Sequence, residues 1–371
     1  MPGPTAPDAR APHPFGARVT HPPVGPRRRA TSAVRRRAAT LACALLVAGA
    51  ALAGCGEGTA DPKPAAPRAD APPVGVEQAT RLLQEYSAAN TRINTGLDPA
   101  GVDAIEMPPA STGSKAGLQV AKTQAVAVPT TGYVHPRFVF PRQSGYPKFF
   151  VAITQLLQSD TVSPSPKYLL FVQEHDGASW KVAYYPFVTD RSEIPDLDQD
   201  AAGGAPAVTD GAGLLADPAA LGRAYQDYAQ GKRDPKVPLS PTKTLTGQLT
   251  GGWTAGVQAL RAKGGILERA IVPDGPRYPT YLLRTRDGGV LAFTAVQVRD
   301  TMTSSGGKDG VPLDAGSREA ALAGSPEGTR AAQYVVTRLI VSLSHIPPAS
   351  APGTGVQLIA YGDYALSVAA G

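Results

Sequence analysis

Both cysteines of this 371-residue chain, Cys43 and Cys55, lie in its first 55 residues. Nothing after Cys55 can form a disulfide or a thiolate metal site. Whatever folds beyond that point depends on apolar burial, and the 317 residues that follow Gly54 are long enough for two cores of about 150 residues each. The charge is equally lopsided. Eight of the 36 basic residues and one of the 30 acidic residues precede Cys55, which leaves 28 basic and 29 acidic. The remainder is close to neutral and lacks the basic footprint of a nucleic-acid binder.

The first 54 residues read as an export signal. Arg27-Arg28-Arg29 and Arg35-Arg36-Arg37 form a basic cluster, and an apolar run broken only by Thr40 follows from Ala38 to Ala53. A charged region, a short apolar region and small residues at a cleavage site mark secretion. A spanning helix needs about 20 apolar residues, more than this run supplies. The run ends in Leu52-Ala53-Gly54-Cys55, which resembles the lipobox of bacterial lipoproteins. That resemblance implies cleavage between Gly54 and Cys55, with diacylglycerol on the Cys55 sulfur. The expected address is the outer face of the cytoplasmic membrane, since two or more acyl chains anchor stably where one binds marginally. Residues 1–33 precede a signal that is already complete, so Val34 is read as the true initiator. The paired arginines leave the export route open.

Residues 55–75 are rich in Pro and Ala and read as a tether. A first unit is expected over 76–190. It opens with a helix at Val76–Asn94, whose Ala79, Leu82, Leu83, Tyr86, Ala89 and Ile93 share one face. Gly96 and Asp98-Pro99 end it, and a short second helix follows. Residues 108–135 read as irregular. Strands are expected at Phe138–Phe140, Phe149–Ile153, Tyr168–Glu174 and Trp180–Val188. The last two flank an Asp176-Gly177 turn, and Trp180, Val182 and Tyr184 are placed on one face. Residues 191–216 form the linker.

A second unit over 217–371 repeats the order: helices near Pro218–Gly231 and Thr254–Lys263, then strands at Leu267–Val272, Tyr281–Arg286, Val290–Arg299, Tyr334–Leu343 and Val356–Tyr361. Residues 303–310 read as a long hairpin loop. Arg81-Leu-Leu-Gln84-Glu85-Tyr86 echoes Arg223-Ala-Tyr-Gln226-Asp227-Tyr228. The expected fold class is α+β, a tandem of two related units, each with N-terminal helices packed on a curved antiparallel sheet. Such units resemble the nuclear-transport-factor-like and cystatin-like cones. The lipobox, the tether, the Tyr86-Ser-Ala-Ala-Asn90 helix and Tyr146-Pro147-Lys-Phe-Phe150 together resemble an actinobacterial family of membrane-anchored lipoproteins of unknown function. That resemblance supplies no catalytic residue.

The motifs that could carry chemistry are incomplete. Asp196-Leu-Asp198-Gln-Asp200 has the spacing of a calcium loop, but Ala201 and Ala207 stand where the loop needs Gly and Glu. Gly211-Ala-Gly213-Leu-Leu-Ala216 follows a loop rather than the strand that a dinucleotide site requires. Ser305-Gly-Gly-Lys308 has no partner Lys-Thr-Gly strand. His135, His175 and His345 are not at metal-ligand spacing. His135 and His175 are expected on the surface. No catalytic, cofactor or metal residue is therefore assigned. Tyr168, Trp180, Tyr184, Tyr185 and Phe187 could line a cone-shaped apolar pocket or simply fill it. The leading expectation is a non-enzymatic binding module whose partner is an envelope protein or a small apolar ligand. A hydrolase or isomerase with a carboxylate or histidine inside the cone is the alternative, and a structural or assembly role is the third.

Overall fold

In a computed structural model the described residues are 72–371, except 159, 307–309 and 352. Cys55, the expected signal and cleavage site, most of the expected tether and Lys308 lie outside them. The chain is mixed α+β, with several antiparallel sheets.

Helix α1 (Val76–Gly96) forms where the sequence predicts one and buries Ala79, Leu83 and Tyr86. It ends as Leu97 adopts a left-handed conformation (φ 45°), and the Leu97 and Asp98 amides donate to Asn94 and Ile93 carbonyls. A 3₁₀ turn (Gly101–Ala104) leads to helix α2 (Ala110–Thr123). α2 overturns the expectation that residues 108–135 are irregular. Its Gly, Ser and Thr content argues against a helix in isolation, but burial of Ala110, Ser111, Gly113, Ala116, Leu118, Val120 and Ala121 selects one. Small side chains let it settle close to its neighbours.

Strands β1 (Gly132–Pro141), β2 (Lys148–Gln158), β3 (Thr161–Gln173) and β4 (Lys181–Tyr184) form an antiparallel meander. The short β5 (Gly204–Ala205) joins in parallel beside β1 and completes the order β4-β3-β2-β1-β5. Helix α3 (Leu221–Ala229), the short β6 (Leu239–Ser240), a π-helical stretch (Thr244–Gly251) and helix α4 (Gly252–Ala262) precede the second sheet. Its strands are β7 (Gly265–Ile271), β8 (Tyr281–Arg284) and β9 (Val290–Ser304), then β12 (Gln333–Ile346) and β13 (Val356–Ala370). The order is β6-β13-β12-β9-β7, and β8 also pairs with β9. Residues after 310 hold more than a loop: β10 (Val311–Leu313), helix α5 (Arg318–Leu322) and β11 (Thr329–Ala331) sit between β9 and β12.

The sheets explain the unbroken apolar runs. Phe149, Val151 and Ile153 face the second sheet, whereas Phe150 and Ala152 face α1. Both faces of β2 and β3 are covered, so the run Phe149–Ile153 need not alternate. Phe293 meets Tyr184 and Tyr168 at 6.0 and 6.4 Å between ring centroids, and Tyr281 meets Phe149 at 5.1 Å. One buried cluster thus takes residues from both sides of the segment 191–216. The opposite face of the second sheet is covered by α3 and the π-helical stretch. α3 approaches closely because residue 222 is Gly; a methyl there would stand 2.9 Å from Val296. The layers run helix, sheet, sheet, helix.

The aromatic set expected to line one pocket is divided among these layers. Tyr168 and Tyr184 lie between the sheets, Trp180 packs on Phe150 at 5.1 Å on the helix side, and Phe187 is 37% exposed. Trp180, Val182 and Tyr184 do not share a face. The β3–β4 register slips between Leu170 and Phe171, and this bulge turns Val182 toward α1 and Tyr184 toward the second sheet.

Because the cluster between the sheets is common to both halves, unfolding is expected as a single transition. Truncating Phe293→Ala should destabilise the chain by about 3–5 kcal/mol. Circular dichroism and tryptophan fluorescence, read on the same urea titration, check this. Two separated transitions would show independent halves.

Candidate functional site

Two polar constellations and one groove stand out. The first lies beneath α1. Residues after the 3₁₀ turn run beside β4: the Met107 amide donates to the Val182 carbonyl and the Val182 amide to the Ile105 carbonyl. This fixes the intervening Glu106 with its carboxylate inward and only 3% exposed. Tyr86 Oη donates to Glu106 Oε1 at 2.8 Å, while Oε2 has no partner among the described residues. The hydroxyls of Ser114 and Tyr185 are 3.1 Å apart, and Lys167 Nζ sits 4.6 Å over the Tyr185 ring. Burial raises the Glu106 carboxyl above its ordinary range, against the opposing pull of Ser114, Tyr86 and Lys167. Burial pushes the Lys167 ammonium down to about 8, against the pull of Glu106. Tyr86 and Tyr185 are held protonated, chiefly by burial. The arrangement can hold a proton on a buried carboxylic acid. The space beside Tyr185, lined also by Ala110, Leu339 and Tyr364, is about 10 Å³, room for roughly one water.

The second constellation lies on the helix-covered face of the second sheet. Asp300 on β9 accepts from Arg269 Nε and Nη2 on β7 at 2.5 and 2.8 Å, and from Arg338 Nε on β12 at 2.7 Å. Asp363 on β13 bridges the same two arginines at 3.1 Å each. Glu319 on α5 meets Arg338 at 2.5 Å. Side-chain exposure is 7% at Arg269 and 3% at Asp300. Burial works against the Arg269 charge, but hydrogen bonding and attraction from Asp300 and Asp363 overcome it and hold the guanidinium above its ordinary value. The cluster stitches four strands and one helix together.

The groove lies at the outer side of β7. It is about 360 Å³ and is lined by Gln230, Trp253, Leu267, Glu268, Arg269, Ala270, Arg299 and Thr301. The Trp253 ring stands 5.0 Å from the Arg269 guanidinium, and Gln230 Nε2 donates to the Arg269 carbonyl at 3.1 Å.

A sequence profile described as Domain of unknown function (DUF8094) matches residues 70–368. The chain belongs to this family. Both constellations and the groove fall within the matched segment. A protein named "Uncharacterized lipoprotein" from Streptomyces avermitilis is 25% identical over 300 residues, covering 76% of this chain and 81% of its own length. A second uncharacterized lipoprotein, from Streptomyces coelicolor, is 26% identical over 245 residues, covering 62% of this chain and 68% of its own. No solved structure gives a significant match.

The motifs flagged in the sequence are used structurally. Asp200 accepts from the Ala202 and Gly204 amides at 2.9 Å each and from Arg142. The Asp198 amide donates to Arg284 and the Arg286 amide to Asp196, so that segment covers the edge of β8. Leu214 forms an isolated bridge with Pro348. Ser305 Oγ donates to the Gly264 carbonyl. His135 and His175 are exposed as expected. His345 is 7% exposed with Nε2 at 3.1 Å from Asp287 Oδ2. Among the described residues, no three His, Cys, Asp or Glu side chains form a metal-sized group, and no helix is long and apolar enough to cross a membrane. Sequence reasoning passed over Glu106, Lys167, Arg269, Asp300, Arg338 and Asp363. A lone acid between Ile105 and Met107 was the available signal for Glu106.

The unfolded chain releases the Glu106 proton near the ordinary value of 4.5, and the folded chain only above it. Within that window folding takes up a proton, so this contribution to stability falls as pH rises. Glu106→Gln keeps an acceptor for Tyr86 and removes the titration. Urea titrations at a series of pH values should show a flatter profile for the variant as pH rises above about 4.5; parallel profiles would place the titrating group elsewhere. Asp300→Asn leaves two arginines short of a counter-charge and is expected to cost about 3–5 kcal/mol in the same assay.

Proposed function

We propose that this chain is an extracytoplasmic lipoprotein, cleaved after Gly54 and anchored through lipid on Cys55, that binds an envelope partner at the groove beside β7. The observation that carries the binding reading is the groove itself: about 360 Å³, bordered by an aromatic ring, two arginines and a glutamate at the edge of a sheet. The anchor reading rests on Leu52-Ala53-Gly54-Cys55 at the end of an apolar run, and on the lipoprotein names of two relatives. The space beside Tyr185, within the layers, is only about 10 Å³, which favours an envelope protein over a small apolar ligand. The two halves are read as related cone-like units, each running from helices to antiparallel strands, that have merged their sheets into one core.

A second reading, a hydrolase or isomerase, draws on the buried Glu106 carboxyl beside Lys167 and Tyr86. It requires the α1 layer to open for substrate. Retention of hydrolytic activity by Glu106→Gln would remove it.

Intact mass of the protein extracted from its native membrane tests the anchor. The expected mass begins at Cys55 and includes diacylglycerol, and Cys55→Ala should move the protein into the aqueous phase of a detergent partition. An unlipidated start elsewhere would overturn it. A photo-crosslinking residue at Glu268 should join the chain to a partner in native membranes, while one at Glu85 on α1 should not. Equal yields at both positions would remove the groove from the reading.

A further inference from the structure

The edge of β7 has a specific chemistry. The Val272 amide donates to the Gln297 carbonyl at 3.0 Å, in the same register that pairs Ala270 with Arg299 and Glu268 with Thr301. Antiparallel pairing alternates, so Ile266, Glu268 and Ala270 turn their main-chain groups toward β9. Leu267, Arg269 and Ile271 turn theirs outward, and of these Leu267 and Arg269 line the groove. Only the Arg269 carbonyl among these is capped, by Gln230. Among the described residues, no main-chain bond to another segment reaches Leu267 or Ile271 on that side.

Other edges carry protection. β4 is bonded by Ile105 and Met107. β1 is blunted by Pro136 and a bulge between Val134 and Arg137. β13 is capped at Leu358 and Ile359 by the Thr242 and Thr244 hydroxyls. β7 has no proline and no register slip, and it exposes 47% of Ile266. Uncapped edges of this kind template the addition of a strand.

Resting on the binding reading of the groove, we infer that its occupant is an extended peptide segment of a partner protein, added as a strand along Leu267–Ile271, with a basic side chain opposite Glu268 and an apolar one against Leu267 and Trp253. Side-chain alternation sets that pattern. Residues of the added strand opposite Glu268 share its face, whereas residues opposite Leu267 share the face of Trp253. Arg269 is already neutralised by Asp300 and Asp363, which leaves Glu268 as the β7 charge open to a partner. A second copy of this chain fits poorly: the register that aligns two β7 strands over their full length sets Glu268 against Glu268, and like charges directly opposite destabilise.

The full chain in detergent is tested against a displayed library of linear ten-residue peptides. With Trp180→Phe, Trp253 becomes the sole tryptophan and reports occupancy of the groove. Bound peptides are expected to change Trp253 fluorescence, to slow hydrogen exchange at the Leu267, Arg269 and Ile271 amides, and to carry a basic residue that Glu268→Lys exchanges for an acidic one. Methylating the peptide's amides one at a time should block binding with a period of two residues. Leu267→Pro removes an outward amide that the fold does not use and should weaken binding by roughly tenfold or more. The methylation series gives the answer even if that variant fails to fold. Peptides that alter Trp253 without protecting β7 amides, or that tolerate methylation everywhere, would overturn strand addition and leave the groove reading intact. Selection of no peptide, or of peptides that touch neither reporter, would overturn both. Protection of β7 that appears with protein concentration alone would assign the edge to a second copy and overturn the peptide proposal.

Discussion

The aromatic contact between the two sheets is the constraint on which the rest of the molecule depends. Tyr168 and Tyr184 from the first sheet meet Phe293 from the second, and Tyr281 meets Phe149. Neither sheet could expose such a face to water without losing the apolar burial that holds a cysteine-free fold together. Once the sheets are joined, each has only one face left for helices. α1 takes the first, and α3 with the π-helical stretch takes the second.

This arrangement changes the meaning of the cone-like units suggested by the sequence. An isolated cone closes around a cavity of its own. Here the face that could have lined one is occupied by the neighbouring sheet, and the space left beside Tyr185 is about 10 Å³. The larger space, about 360 Å³, lies instead at the perimeter, where β7 ends the second sheet. The buried polar clusters fit the same logic. Glu106 sits where a loop runs beside β4, and the Arg269–Asp300–Arg338–Asp363 group ties β7, β9, β12 and β13 together side by side.

Periodicity carried much of this architecture. The α1 stripe, the Asp176-Gly177 turn and the placing of the strands after Leu267 follow from spacing, although β13 runs on to Ala370, past the expected end at Tyr361. What escaped was set by partners distant in sequence. α2 looks like a loop because Gly, Ser and Thr are poor helix formers, and its burial against β13 and α5 outweighs that. The split of Val182 from Tyr184 depends on a bulge, which leaves no mark in a hydrophobic pattern. The charged cluster was hidden because Arg269, Asp300, Arg338 and Asp363 lie up to 94 positions apart and meet only across the sheet.

The Arg269 side chain gives β7 a property beyond stability. Its guanidinium is locked to Asp300 and Asp363 on the covered face, while Gln230 holds its carbonyl from the side. The strand is thereby held in place by bonds that do not use its outward N–H groups. A surface ordered in this way loses little conformational entropy when something docks on it, so weak individual contacts can add up to a durable association.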